Sequence, residues 1–307
     1  MNSSLLPSVA DRRDPLLPAK LAAHRGLRWL RWAWEARAYA RRRPLSGAAW
    51  TELARHRSRV VRDPARAVLE MTAGKAANLR LGAAALDGVV IAPGETLSFW
   101  WTIGAPTEKR GFRRGMELRS GCIVPSVGGG ICQLAGALVE VALAAGLTLV
   151  EHHPHSLEIA PERDRIRPFG AGAAVLYPHR DVRVRNDGAR PVALRARCAD
   201  GWLAVSVLGA ARRCTDLALE ERAYRVERAG GRTYRAGELW QVCRDRRSGE
   251  LLWERCVLAR RVEVLAEMPL HHCFTCDRAC PNALPADAPE RRVADAELGL
   301  ARLSPAA

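Results

Sequence analysis

Lysine is almost missing from this 307-residue chain. Three of its 48 basic residues are lysines (Lys20, Lys75 and Lys109), so the excess over 33 acidic residues, a formal charge of +15, is carried by arginine. A chain-wide arginine bias reads first as genome composition and second as a binding signal, although the field still favours anionic partners. Aromatic residues make up only 6% and few interleave the arginine clusters, which argues against specific nucleic-acid recognition. The first 45 residues lack the unbroken apolar stretch of about 7–15 residues that marks a secretory signal. The longest apolar stretch, 135–150, is interrupted by Glu140 and falls short of the roughly 20 residues that span a bilayer. Walker loops, dinucleotide fingerprints, paired-carboxylate signatures and internal repeats are also lacking. The expectation is therefore a cytoplasmic protein without a transmembrane helix, whose nine cysteines serve as thiols or ligands and not as a disulfide framework.

What remains is a globular composition, 48% hydrophobic and 26% charged, with length for one large or two modest domains. Residues 1–20, with Pro7, Pro15 and Pro18, read as a loose leader. From 24 to 43, Leu27, Leu30, Trp34 and Ala38 recur at helical spacing with arginines between them. Two readings of that helix stand: docked on its own domain with arginine stems over apolar surface, or in peripheral contact with an anionic membrane surface. A second helix is expected over about 48–72, kinked near Pro64, and 78–91 reads as a helix ending at Asp87-Gly88. Short strands are expected at 96–101, 147–151, 173–177, 181–185, 191–197 and 202–208. Residues 224–265 read as hairpins turning at Gly230-Gly231 and Ser248-Gly249. The class is α+β: an N-terminal leader and helical region (1–74), a central domain of short strands around a cysteine-bearing helix (75–210), a β-hairpin extension with a cysteine-rich loop (211–281), and a poorly ordered tail (282–307).

The most informative stretch is Gly128-Gly129-Gly130-Ile131-Cys132-Gln133. The glycines permit a tight turn and the apolar run behind them has helical length, so Cys132 is placed at a helix N-terminus. There the partial positive charge favours thiolate, and unpaired N–H groups point where an oxyanion would form. The plainer alternative is a buried structural cysteine behind a glycine turn. A nucleophilic thiol needs a base and the base an orienting partner. His155, in Glu151-His152-His153-Pro154-His155-Ser156, follows a strand that returns toward the helix start and is the candidate base, with Asp181 or Glu151 as orienter.

Taken together, Gly94-Glu95-Thr96-Leu97-Ser98-Phe99, Ile103-Gly104, Gly111-Phe112, Gly115, the Gly128–Gln133 motif, His155-Ser156 and Asp181-Val182-Arg183-Val184-Arg185-Asn186 resemble the VanW family over about 75–208. The resemblance implies cysteine-dependent acyl transfer of the L,D-transpeptidase type on a peptidoglycan-type peptide. Cys132 matches the family's glycine-rich-motif cysteine and His155 its His-Ser histidine. Backbone N–H groups near Cys132 and Gln133 would hold the oxyanion, and Gly129, Gly130, Gln133 and Ser156 would line the binding site. The alternative is a non-catalytic envelope-associated protein that holds a cell-wall peptide or precursor. Two positions depart from the family pattern: Glu151-His152 stands where Glu-Arg is usual, and Gly170-Ala171-Gly172-Ala173 lacks the usual acid.

A second constellation is His271-His272-Cys273-Phe274-Thr275-Cys276-Asp277-Arg278-Ala279-Cys280. Cys273, Cys276 and Cys280 with His271 supply four ligands for a structural zinc, His272 being sterically the poorer choice beside Cys273. An iron–sulfur cluster would need a further cysteine, Cys243 or Cys256, from a hairpin.

Overall fold

The computed structural model describes residues 16–45, 50–61, 69–119, 122–155, 157–158, 168–210, 214–264 and 271–272. In chain order these form α1 (Leu17–Glu35), β1 (Arg41–Arg42), β2 (Thr51–Arg59), α2 (Leu69–Leu86), β3 (Val89–Ile91), β4 (Thr96–Ser98) and α3 (Phe99–Ile103). Then come β5 (Arg114–Arg119), β6 (Cys122–Val127), α4 (Cys132–Ala144), β7 (Thr148–Glu151), β8 (Leu157–Glu158) and β9 (Arg183–Arg185). The remainder is strand: β10 (Val192–Ala199), β11 (Trp202–Gly209), β12 (Thr215–Ala229), β13 (Arg232–Asp245), β14 (Leu251–Val264) and β15 (His271–His272). The class is α+β.

The core lies between helices α2 and α4 and the inner face of a five-stranded sheet ordered β1-β3-β10-β11-β2. Leu203, Val205 and Val207 of β11 point inward and are fully buried, as are Leu134, Leu138 and Val139 of α4. Every residue from Leu134 to Val139 is buried, the pattern of a helix enclosed on all sides rather than one with an apolar stripe. The other face of the sheet carries arginines in register: Arg57, Ala204 and Arg197 form one row across β2, β11 and β10, and Arg55, Ser206 and Arg195 the next. The guanidinium groups of Arg57 and Arg59 lie over the Trp202 ring, 4.0 and 4.1 Å from its centroid. A three-stranded sheet β4-β9-β7 adjoins α4, and a long antiparallel sheet β12-β13-β14 takes β8 as its fourth, parallel strand.

The expected helix over 48–72 is replaced by β2. Its alternation is period two, with His56 and Ser58 buried and Arg55, Arg57 and Arg59 exposed. Because the inward residues are polar, no apolar alternation marks the strand. The pleat is satisfied by specific partners instead: His56 Nδ1 lies 2.8 Å from a Glu140 carboxylate oxygen, and the Gln133 amide donates to Ser58 Oγ at 2.9 Å.

The N-terminal helix also shifts, starting at Leu17 and ending at Glu35, not spanning 24–43. Pro18 stands in its first turn, where a missing N–H costs no helix hydrogen bond. Beyond a 3₁₀ turn at Ala36–Ala38 the chain is extended, and Arg41–Arg42 pairs with β3. The expected strand at 96–101 splits after three residues, because Ser98 caps α3 by accepting a hydrogen bond from Trp101 N–H at 3.1 Å. The hairpin turns at Gly230-Gly231 and Ser248-Gly249 fall where expected, between β12 and β13 and between β13 and β14.

Candidate active site around Cys132

Cys132 is the first residue of α4 and half-buried. The turn that delivers it packs so closely that only glycine fits. A Cβ on Gly129 would sit 2.2 Å from the Gly115 carbonyl oxygen of β5, and Gly130 has φ +89° with its α-carbon against the Lys75 side chain. Asn78 of α2, fully buried, clamps the same turn. Its amide donates to the carbonyls of Arg113 and Gly129, both at 2.9 Å, and its oxygen accepts from Arg113 N–H at 2.8 Å. Gln133 points away from the thiol, tied to Ser58 and to the Arg59 carbonyl of β2.

The start of α4 does not offer the open row of donors expected for an oxyanion. Gln133 N–H donates to the Gly130 carbonyl at 3.1 Å, and Leu134 and Ala135 N–H donate to Ile131 at 3.0 and 3.2 Å. The turn closes these groups by itself, so the Gln133 amide expected to face an oxyanion is hydrogen-bonded to Gly130.

A cation within electrostatic range of the thiol was not legible in the sequence: Arg180, whose charge feels the field of Cys132. Burial pulls the Arg180 pKa down and the field of Cys132 opposes that shift. Its hairpin is held from three sides. Arg180 exchanges two backbone hydrogen bonds with Leu176, its carbonyl accepts from Trp100 Nε1 at 2.8 Å, and the His179 carbonyl accepts from Arg28 of α1 at 3.2 Å. The Tyr177 ring sits between Trp32 and Trp100, 5.8 and 5.6 Å from their centroids.

One segment, 171–175, links the cysteine to the histidines. The Cys132 thiol lies 3.9 Å from the Val175 carbonyl, Ala174 N–H donates to the His153 carbonyl at 2.7 Å, and His152 Nε2 donates to the Gly172 carbonyl at 2.9 Å. Burial lowers the His152 pKa, against the raising effect of this hydrogen bond. His155 is exposed and its ring faces Gly172, 3.8 Å from where a Cβ would stand. Cys132 and His155 therefore lie beside the same segment three residues apart, at Val175 and Gly172.

Asp181 is fully buried and its carboxylate accepts from Ser98 Oγ at 2.5 Å, Trp100 N–H at 3.0 Å and Val182 N–H at 2.9 Å. Burial raises its pKa to about 6 against the lowering effect of the Ser98 and Trp100 hydrogen bonds. Glu151, the alternative orienter, accepts from Arg28 and holds His153 Nε2 at 3.0 Å. Ser156 and the cysteines Cys273, Cys276 and Cys280 lie outside the described residues, as does the side chain of His271, whose backbone pairs with β6. Among the described residues no group of three or more histidine, cysteine or acidic side chains is arranged to hold a metal.

Residues 74–208 match the family described as VanW like protein. The chain is 33% identical over 113 residues to the Vancomycin B-type resistance protein VanW of Enterococcus faecalis (strain ATCC 700802 / V583), covering 37% of this chain and 41% of that protein. It is 30% identical over 130 residues to the Uncharacterized protein YoaR of Bacillus subtilis (strain 168), covering 42% of this chain and 41% of YoaR. The chain thus spans about two fifths of the length of these curated relatives. No solved structure matches it significantly. The matched region, a VanW-like domain over residues 74–208, holds the glycine turn, Cys132, His155, Arg180 and Asp181.

Proposed function

We propose that the chain is a thiol acyl transferase acting on peptides of the peptidoglycan type, with Cys132 as nucleophile. The observation that carries the reading is the position of Cys132, half-buried on the first residue of α4 with the Arg180 guanidinium in its field. Both the helix end and a neighbouring cation favour thiolate over thiol. The sulfur attacks a peptide carbonyl while the thiol proton passes to His155. The carbon–nitrogen bond then breaks, the imidazolium protonates the departing amine, and a thioester remains on Cys132. A second amine, losing its proton to His155, attacks the thioester, forms the new amide and expels the thiolate. With the Gln133, Leu134 and Ala135 amides occupied, the field of Arg180 supplies positive charge to the developing oxyanion. The name of the Enterococcus faecalis relative, a vancomycin resistance protein, supports a cell-wall substrate.

The second reading is a non-catalytic envelope-associated protein that holds a cell-wall peptide or precursor in the same place. It is favoured by the commitment of the Asp181 carboxylate to Ser98, Trp100 and Val182. Mass spectrometry of the purified protein with muropeptide tetrapeptides or a carbapenem separates the two. A covalent adduct on Cys132, absent in Cys132→Ser, supports transfer. Ligand binding retained in Cys132→Ser with no adduct on the wild type supports the binder.

A further inference from the structure

Helix α1 docks on the described part of the molecule through the side that carries Arg28, Trp32 and Glu35. Arg28 binds Glu151 and the His179 carbonyl, Trp32 packs on Tyr177 and Trp101, and Glu35 pairs with Arg183. At 3.6 residues per turn, the side opposite Arg28 and Trp32 presents Leu27, Leu30 and Trp34 with Ala23 and Gly26 between them. Leu27, Leu30 and Trp34 are 63, 68 and 90% exposed, and Leu16 at the helix start is 61% exposed. Large apolar side chains at that exposure, in one continuous strip, are uncommon on a soluble surface and mark a contact.

The charge beside the strip says what covers it. Residues 16–43 carry eight lysines and arginines and one acid, Glu35. That acid is engaged with Arg183, Arg31 and the Tyr39 hydroxyl, so it faces the protein. Lys20, His24 and Arg31 line one margin of the strip and are exposed. A second copy of the chain would bring two strongly positive helices together, whereas an anionic surface neutralises them. Among the described residues no helix is long and apolar enough to cross a membrane. We propose that α1 is an interfacial helix that lays Leu27, Leu30 and Trp34 into the headgroup–acyl boundary of an anionic lipid surface, with its basic margin on the phosphates. The face that docks on the domain stays docked, so binding brings the Cys132 side of the protein to the bilayer through Arg28 and Trp32.

The test is sedimentation of the full chain with vesicles of mixed phosphatidylglycerol and phosphatidylcholine against phosphatidylcholine alone. The expected result is binding to the anionic vesicles, with a blue shift of tryptophan fluorescence that shrinks in Trp34→Phe. Leu27→Glu combined with Leu30→Glu should weaken binding about tenfold or more, since two apolar anchors become charged. Arg232→Glu, a charge change of the same sign on the distant β13, should leave most of the binding in place. Both Leu positions are exposed, so an unchanged thermal melt shows that the double variant is folded. Failure to bind anionic vesicles, equal binding to the zwitterionic ones, wild-type binding by the double variant, or a concentration-dependent dimer that the double variant abolishes would each overturn the proposal.

Discussion

The guanidinium of Arg28 grips both carboxylate oxygens of Glu151, at 2.7 and 2.6 Å, across 123 residues of sequence. Both side chains are nearly buried, at 12 and 13% exposure. The pair joins α1 to the end of β7, and Glu151 also accepts from the Asp181 N–H that begins the path into β9. A bidentate pair removed from water in this way is costly to break from one side, because the survivor is left as an uncompensated charge.

Replacing Arg28 by Ala should therefore destabilise the fold by about 3 kcal/mol, measured by urea unfolding at neutral pH. Acid should act on the same pair. Burial alone would raise the Glu151 pKa, but hydrogen bonds with His153 and Arg28 outweigh it and hold the carboxyl at about 2. A carboxyl depressed in the fold binds fewer protons there than in the unfolded chain, so its contribution is complete above the ordinary carboxylate range and drains away as pH falls toward 2. The unfolding free energy of the wild type should fall over that interval, while Glu151→Gln, weaker at pH 7, should show a flatter acid limb.

Asp181 should act in the opposite sense. Its pKa is raised by burial to about 6, so the folded state binds a proton more tightly than the unfolded chain. The stability it lends is present below about pH 4 and is lost as pH rises to 6, by roughly 2–3 kcal/mol for a shift of about two units. Asp181→Asn, which cannot titrate, should remove that slope between pH 4 and 6. An unchanged slope in the variant would assign it to another group.

Two glycine substitutions should differ in sign. Gly129→Ala drives a Cβ to 2.2 Å from the Gly115 carbonyl oxygen and 2.4 Å from its carbon, backbone atoms held in the β5–β6 hairpin. The expected loss is about 3 kcal/mol or failure to fold. Gly26→Ala, in α1 with nothing within 4 Å of the new methyl, should stabilise the helix by about 0.5–1 kcal/mol. Thermal melts of the two variants check both.

Arg180→Gln should slow alkylation of Cys132 by iodoacetamide at pH 7 by about three- to tenfold, since removing a neighbouring cation lowers the thiolate fraction. Peptide mapping against the buried Cys198 and Cys243 gives the internal reference. An unchanged rate would show that Arg180 does not tune the thiol.

Much of the site could be read along the chain. The glycine turn, the apolar run after it and the position of Cys132 are local features, and local propensity places α4 without help from the rest of the fold. The turns at Gly230-Gly231 and Ser248-Gly249 were legible for the same reason. The strand β2 was not, because His56 and Ser58 face inward as polar residues and their burial depends on Glu140 and Gln133, more than 70 positions away. The three-residue β4 was hidden by its neighbour α3, whose cap is Ser98 and whose anchor is Asp181.

By itself, then, the order of residues determined the α+β class, the glycine-enforced turn and the cysteine at a helix start, since each rests on steric and hydrophobic preferences acting over a few residues. Which groups surround that cysteine was decided only in three dimensions. Arg180 acts on Cys132 through its field because Arg28, Trp100 and Tyr177 fix its hairpin, and the Gln133 backbone N–H is engaged because the Gly130 carbonyl accepts it. Pairings of that kind join segments distant in sequence, and their energies come from burial and charge compensation that exist only once the chain has closed on itself.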